Sequence, residues 1–478
     1  MYAGAVSLAL ILTLAELAWI AVAGVGIVMQ RRSATATLAW LFALALLPVI
    51  GFIVYWLIGP QRLNRKKLRR ALSRHTVRAA MAGLAEARSS APDHARLSLI
   101  PLGLGEAPPL PARDIRPFFD GQSAYAAIIA AIEAAQHHVH LEYYIWEPDG
   151  IGTRLRDLLV AKARAGVEVR LLVDATGAAG LKRRWRRPLY DAGVQFAWFN
   201  PITFKLWRRR RADFRTHRKI VVCDGVVGFT GGMNVTDAHS AEFGPRYWRD
   251  THLGFAGPAV EALQRAFLED WAYARGVLPT IDRAYFPREE LETLEDHDAV
   301  QVVASGPDDT TYPVHKAYFA AITAARSRLW ITTPYFIPDD PIMTGLAVAA
   351  LARVDVRVLV PKRGDSRLVD LAARSYFGEL LAAGVKIYEY EPRFIHAKTM
   401  VVDDDLAIVA TANLDNRSFR LNFELAALVY GGDLTRRLAE AFIDDLRSAR
   451  PITAADLERQ PFRRRLGQAS ARLLSPLL

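Results

Sequence analysis

The feature that most constrains this chain is an internal duplication. VEVRLLV at 167–173 returns as VDVRVLV at 354–360, DAGVQFAWFNP at 191–201 as AAGVKIYEYEP at 382–392, and HRKIVVCD at 217–224 as HAKTMVVD at 396–403. A period of about 180–190 residues is far too long for a solenoid and fits two copies of one domain. Within each copy, Ala-rich helical runs lead into short apolar, β-branched ones. Helix-like 125–136 precedes strand-like 139–146, 155–165 precedes 167–174, 314–325 precedes 329–337, and 343–353 precedes 354–360. That alternation predicts a duplicated α/β domain with mixed sheets. The expected boundaries are 115–290 and 298–478, with a charged spacer around 289–297. The first copy carries about a dozen extra residues before its histidine, including Lys205 and Arg208 to Arg211. This segment reads either as a basic loop at the site or as a solvated charge run.

Each copy contains His-x-Lys-x-x-x-x-Asp: His217, Lys219 and Asp224, then His396, Lys398 and Asp403. With 11 His, ten Lys and 30 Asp in 478 residues, chance would supply about 0.01 such motifs. Two at matched places in a repeat are no accident. Residues two apart on a strand face the same way, so an imidazole and an ammonium can share one phosphate. Asp224-Gly225, and Asp403 to Asp405 in the second copy, read as hairpin turns. The return strands then bring Asn234 and Asn413 beside the His–Lys pairs. The two aspartates are candidates either for the chemistry or for the turns. Asp250 and Glu424 follow their motifs at similar distances, and either could orient a nearby imidazole. A metal is not expected, because the constant partner of each histidine is a lysine, which repels a cation.

The first 60 residues point to a membrane. From Ala3 to Met29 the chain is apolar except for Glu16, and from Thr37 to Ile58 it carries no charge. Each stretch reaches the roughly 20 residues that a bilayer core requires. A cleaved signal peptide is the rival for the first stretch, which lacks a basic leader and is followed at once by the second. Arg62, Arg65, Lys66, Lys67, Arg69, Arg70, Arg74 and Arg78 follow without an acidic residue among them. This cluster should stay cytoplasmic, against the weaker pull of Arg31 and Arg32. The expectation is a two-span anchor over 1–60. A basic juxtamembrane helix and linker should follow over 61–114, its helix at 61–88 lying either on anionic headgroups or in solvent. The net charge of +11 asks for an anionic partner, lipid or nucleic acid, and two spans favour lipid. Cys223 is the only cysteine, which excludes a disulfide scaffold.

The paired motifs resemble those of the phospholipase D superfamily, and the whole chain resembles its bacterial cardiolipin synthases. The match runs through LAWLFALALLPVIGFIVYWLIG, HLEYYIWEPDGIG at 140–152, FTGGMN at 229–234, YWRDTHL at 247–253 and SGPD at 305–308. It continues in TTPYFIPDD at 332–340 and TANLDNRSFRLNFE at 411–424, and ends at SPLL. Ala410 stands where such proteins usually have glycine, and DFRTHRK replaces the more usual NYRNHRK at 213–219. The resemblance implies one active site between the halves, a phosphohistidine intermediate and no cofactor. It implies that His217 attacks phosphatidylglycerol while His396 protonates the departing glycerol, and that a second phosphatidylglycerol then takes the phosphatidyl group. Lys219, Lys398, Asn234 and Asn413 would hold the phosphate oxygens. Other anionic phospholipids and the bilayer are the remaining expected partners, and nucleic acid is not. The alternatives are a membrane-bound phospholipase D that finishes with water, a membrane-tethered nuclease of the same superfamily, and a scaffold with a broken site. Both motifs are intact, which argues against the scaffold. The C-terminal stretch from Pro461 either caps the second half or docks on the membrane.

Overall fold

The computed structural model describes residues 10, 14, 18–29, 34–46, 73–79, 81, 95–201, 214–287 and 298–478. They fall into two units, Met1–Leu68 and Arg69–Leu478. In the first, a helical stretch at 18–28 and the helix Ala34–Leu46 bury Ile27 and Leu44 against Trp19, Ala23 and Trp40. Among the described residues no helix is long and apolar enough to cross a membrane. Much of the expected spans, much of the basic stretch 61–88, the spacer 289–297 and the insertion with Lys205 and Arg208 to Arg211 lie outside the described residues.

The second unit holds the duplication as two mixed sheets. The first contains β1 (Arg113–Phe118), β2 (His138–Tyr143), β3 (Glu168–Asp174), β4 (Gln195–Phe199), β5 (Ile220–Cys223), β6 (Val227–Gly231) and β7 (His252–Ala256), in the spatial order β1-β7-β6-β5-β2-β3-β4. The second contains β8 (Ala299–Ser305), β9 (Arg328–Thr332), β10 (Asp355–Pro361), β11 (Lys386–Tyr390), β12 (Thr399–Val402), β13 (Leu406–Ala410), β14 (Glu424–Tyr430) and β15 (Ala449–Pro451). Its order β8-β14-β13-β12-β9-β10-β11 repeats the first strand for strand, with β15 and the short Leu110–Pro111 added at the edges. β2, β3 and β4 run parallel, as do β9, β10 and β11, and the remaining pairs are antiparallel. The central strands are buried along their whole length, as strands covered on both faces must be. Each half has its own apolar core, one around Leu141, Leu171 and Val221, the other around Ile331, Val358 and Ile408.

Asp224 and Asp403 sit at matched hairpin turns with φ of 54° and 49°, a left-handed conformation that aspartate tolerates better than most residues. The Asp224 carboxylate accepts the N–H groups of Gln136, His137 and His138 at 2.7–2.8 Å. Asp403 likewise takes those of Arg326, Ser327 and Arg328. Both therefore pin the start of the neighbouring strand, β2 or β9.

The stretch before the first half is not a free linker. The helix Ala95–Gly103 buries Leu97 in the second core, and Gln301 Nε2 donates to the carbonyls of Ser98 and Ala107. Two arginines of the basic stretch also face protein rather than lipid. Arg74 pairs with Glu106, Glu269 and Asp309, and Arg78 with Glu269. At the other end, the helix Phe462–Arg472 packs Ala471 into the second core and so caps that half, while Phe462, Leu466 and Leu473 stay exposed.

Candidate active site

Both histidines lie just before matched strands of their halves, β5 and β12, and the main chain carries each across to the other half. The His217 N–H donates to the Phe423 carbonyl at 2.8 Å and the Phe423 N–H to Arg215; the His396 N–H donates to Arg249 at 2.6 Å and the Arg249 N–H to Phe394. These two short parallel bridges are copies of one another. They set each histidine beside the segment that carries the other half's acid. Flanking arginines reinforce the seam: Arg249 pairs with Asp445 at 2.8 Å, and Arg218, itself bound to Asp270, donates to the carbonyls of Glu424 and Ser305.

The consequence is a crossed arrangement. His217 Nδ1 lies 3.2 Å from Glu424 Oε1, and His396 Nδ1 lies 2.6 Å from Asp250 Oδ2. Each acid thus serves the imidazole of the opposite copy. A carboxylate at Nδ1 fixes the ring and its tautomer and leaves Nε2 for reaction. The charge of His217 and of Lys219, with the Thr411 hydroxyl, holds Glu424 below the usual carboxylate range despite its burial. Burial, followed by the charges of Lys398, Lys219 and His217, pushes His396 well below the ordinary histidine value.

His217, Lys219, Asn234, His396, Lys398 and Asn413 line one cavity of about 410 Å³, with Tyr144, Trp248, Arg417 and Asn422 in its wall. Lys219 and Lys398 are buried and donate back to the carbonyls of their own histidines. Burial drags their pKa down, to about 8 for Lys219 and about 7 for Lys398, with Glu424 and Asp250 pulling the other way. An anion between them would restore both charges. Asn234 Oδ1 accepts the Ile145 N–H at 3.2 Å, which leaves its amide N–H groups for a ligand oxygen. Asp224 and Asp403, expected as candidates for the chemistry, do not join this group. Their carboxylates are taken up by the strand starts described above, and that corrects their place among the reactive residues.

His239, Thr411, Asn422, Tyr144 and Trp248 were not legible as site residues. His239 Nδ1 lies 3.6 Å from Asp250 Oδ2 while its Nε2 accepts the Asn234 N–H. His239, Asp250 and His396 bring ligand atoms within 4.8 Å of one another. They do not suit a metal. His239 Nε2 is spent as an acceptor, so a neutral ring keeps its proton on Nδ1, the atom that would have to ligate. The buried cations Lys219 and Lys398 add their repulsion.

The chain resembles known proteins over most of its length. A family profile described as cardiolipin synthase, phospholipase D-like domain, matches residues 128–243 and 318–446, and one described as the phospholipase D-nuclease N-terminal region matches 17–60. The chain is 42% identical over 461 residues to a cardiolipin synthase of Geobacillus kaustophilus, covering 94% of this chain and 90% of that one. It is 38% identical over 467 residues to cardiolipin synthase 1 of Bacillus anthracis, covering 95% and 91%. A phosphatidylserine synthase structure from Haemophilus influenzae shares the fold, with a TM-score of 0.59 at 17% identity over 80% of this chain and all of that one. Two matched halves, two intact motifs and near-full-length identity place the chain in the cardiolipin synthase family of phospholipase D-like proteins.

Proposed function

We propose that the chain makes cardiolipin by moving a phosphatidyl group from one phosphatidylglycerol to another, with glycerol as the second product. The observation that carries this reading is the single cavity in which two crossed imidazole–carboxylate pairs face two buried lysines. Such a site can attack a phosphodiester and protonate the leaving oxygen in one step. In the order that the family resemblance implies, His217 Nε2 attacks phosphorus and the bond to glycerol breaks. His396 gives its Nε2 proton to the departing alkoxide. The terminal hydroxyl of a second phosphatidylglycerol then returns a proton to His396 and attacks, and the P–N bond breaks. Lys219, Lys398, Asn234 and Asn413 hold the non-bridging oxygens as charge shifts onto them. Phosphodiesters stand on both sides of the reaction, so no nucleotide, metal or other cofactor is required.

The reverse assignment has one observation in its favour. An attacking imidazole must be neutral, and burial with the neighbouring charges of Lys398, Lys219 and His217 disfavours the charged form of His396. A phosphodiester with a p-nitrophenyl leaving group needs no proton donor, so it separates the two orders. The variant lacking the acid still forms the covalent intermediate from it, and the variant lacking the nucleophile does not.

The apolar stretches in 1–60 and the profile match at 17–60 support a two-span anchor with the catalytic halves on the cytoplasmic side. That placement would concentrate both lipid substrates at the site. The test of the function is a product assay on the full chain in phosphatidylglycerol vesicles with EDTA. Cardiolipin and glycerol in equal amounts support the reading. Phosphatidic acid alone would make the protein a hydrolase, and competition of the activity by DNA would favour a nuclease.

A further inference from the structure

The two halves put different side chains at matched places around the cavity. Asn234 N–H donates to His239 Nε2 at 3.2 Å and Asn413 N–H to Ser418 Oγ at 3.1 Å, so His239 and Ser418 are equivalent. The same register sets Ala238 against Arg417. Two residues before the matched acids Asp250 and Glu424, Trp248 stands against Asn422. The Trp248 ring lies 5.3 Å from that of His396. Asn422 lies on the other side, donating from Nδ2 to Glu424, the acid of His217, at 3.2 Å. Arg417 lines the same cavity, and its charge partly offsets the upward push of burial on the Tyr144 hydroxyl, whose ring is 4.1 Å from His217. A twofold scaffold has thus become apolar beside His396 and polar beside His217.

Two identical lipids with different tasks need such a break in symmetry. The orientation of the Asn422 amide is settled by chemistry: an ionised Glu424 only accepts, so Nδ2 faces it and Oδ1 faces away. That Oδ1 is buried and has no hydrogen-bond partner. A buried acceptor without a donor is costly, and a phosphodiester monoanion has no donor to offer. A glyceryl hydroxyl has one. Of the side-chain carboxylates in this wall, Asp365 is engaged by the Tyr335 hydroxyl and Asp415 by the Ser418 N–H.

We propose that Asn422 and Arg417 seat the headgroup of the acceptor lipid: Asn422 Oδ1 accepts from the secondary hydroxyl of its glyceryl group, and Arg417 pairs with its own, unreacting phosphate. The proposal rests on the reading that the acceptor is a second phosphatidylglycerol. It places the exchanging glyceryl oxygen on the His217 side, which favours the reverse assignment, His217 moving the proton and His396 carrying the phosphatidyl group, over the order that the family resemblance implies.

The experiment compares the full-length protein with Arg417→Gln and Arg417→Lys in phosphatidylglycerol vesicles containing labelled free glycerol. It counts cardiolipin against labelled glycerol exchanged into phosphatidylglycerol. Free glycerol has no phosphate for Arg417, so Arg417→Gln should lower the ratio of cardiolipin to exchange by about tenfold or more, and Arg417→Lys should recover part of it. A second arm offers phosphatidyl-1,3-propanediol, which lacks the secondary hydroxyl, as the acceptor. The wild type should use it about tenfold less well than phosphatidylglycerol. Equal falls in both products of Arg417→Gln, an unchanged ratio, or indifference to the missing hydroxyl would overturn the proposal while leaving the synthase reading intact. Wild-type protein that releases only phosphatidic acid would instead remove the acceptor reading on which it stands.

Discussion

Glu424 and Asp250 do the same work from opposite halves, yet they are held in different ways. Glu424 accepts the Thr411 hydroxyl at 2.6 Å and the Asn422 amide at 3.2 Å in addition to His217. Asp250 accepts its neighbour's N–H, from Thr251, at 2.7 Å and meets His396 and His239 with its other oxygen. The difference is written at one matched position. Thr411 in the second half corresponds to Gly232 in the first, where a Cβ would come within 2.0 Å of Asp250 Oδ1. The shorter acid sits against the turn itself, which only glycine permits, and the longer acid reaches past a threonine that donates to it. Acid and turn residue therefore differ together between the halves. Equivalent function across a duplicated site does not need equivalent packing.

The comparison can be broken most severely at the histidines. Both His217→Ala and His396→Ala should lose about 10⁴-fold or more in transfer from the natural lipid, because nucleophile and acid act as a unit. A residual rate in one variant close to that of wild type would mean that the halves work separately. Removing the acids comes next. Asp250→Asn should cost about 10³-fold or more in kcat, and Glu424→Gln about tenfold less than that, since His217 sits farther from its carboxylate. Steady-state kinetics on vesicles would measure both, and the opposite ranking would remove the distinction drawn here.

Position 232 sharpens the contrast further. Gly232→Ala should push the Asp250 carboxylate off His396 and lower activity by about 10²-fold, with about 1–3 kcal/mol lost in stability from overpacking. Thr411→Val, which only removes a hydroxyl from Glu424, should cost about tenfold. Denaturant unfolding beside activity would separate the two effects.

The smallest expected effect is a pH limb. Both lysines must be charged to hold the phosphate, and burial has brought them to about 8 and about 7. A lysine with a lowered pKa loses its proton as pH rises through that value, so kcat/KM should fall between about pH 7 and 8. Bound anion raises both values, so the limb in kcat should lie higher. Lys398→Arg, charged at every pH, should remove the lower part of the limb. A kcat/KM flat to pH 9 would contradict the depressed values.

Much of this was legible beforehand. The paired motifs, their return strands and the duplication rest on strand periodicity and on chance arithmetic, both properties of the sequence. What was not legible depends on the contact between halves. The motif spacing placed Asp250 and Glu424 near an imidazole, but only the bridges at Thr216–Phe423 and Arg249–Ile395 decide that each serves the other copy. His239 and Ser418 share a backbone role with no shared chemistry, so no pattern announces either. Asp224 and Asp403 belong to the motif and were open to two roles. The positive φ of their turns, together with the strand starts they pin, accounts for their presence without any reaction. Arg74 read as one more juxtamembrane charge because its three acidic partners lie 32 to 235 residues away.

The central claim is that two motifs make one site. The direct measurement is the stoichiometry of the covalent intermediate, by rapid acid-free quench of the full-length protein with phosphorus-labelled phosphatidylglycerol and counting of label per chain. One label per chain at saturation is expected, absent from both His217→Ala and His396→Ala with the natural lipid. Two labels per chain, or one label surviving in each variant, would mean two independent sites and would contradict the crossed arrangement.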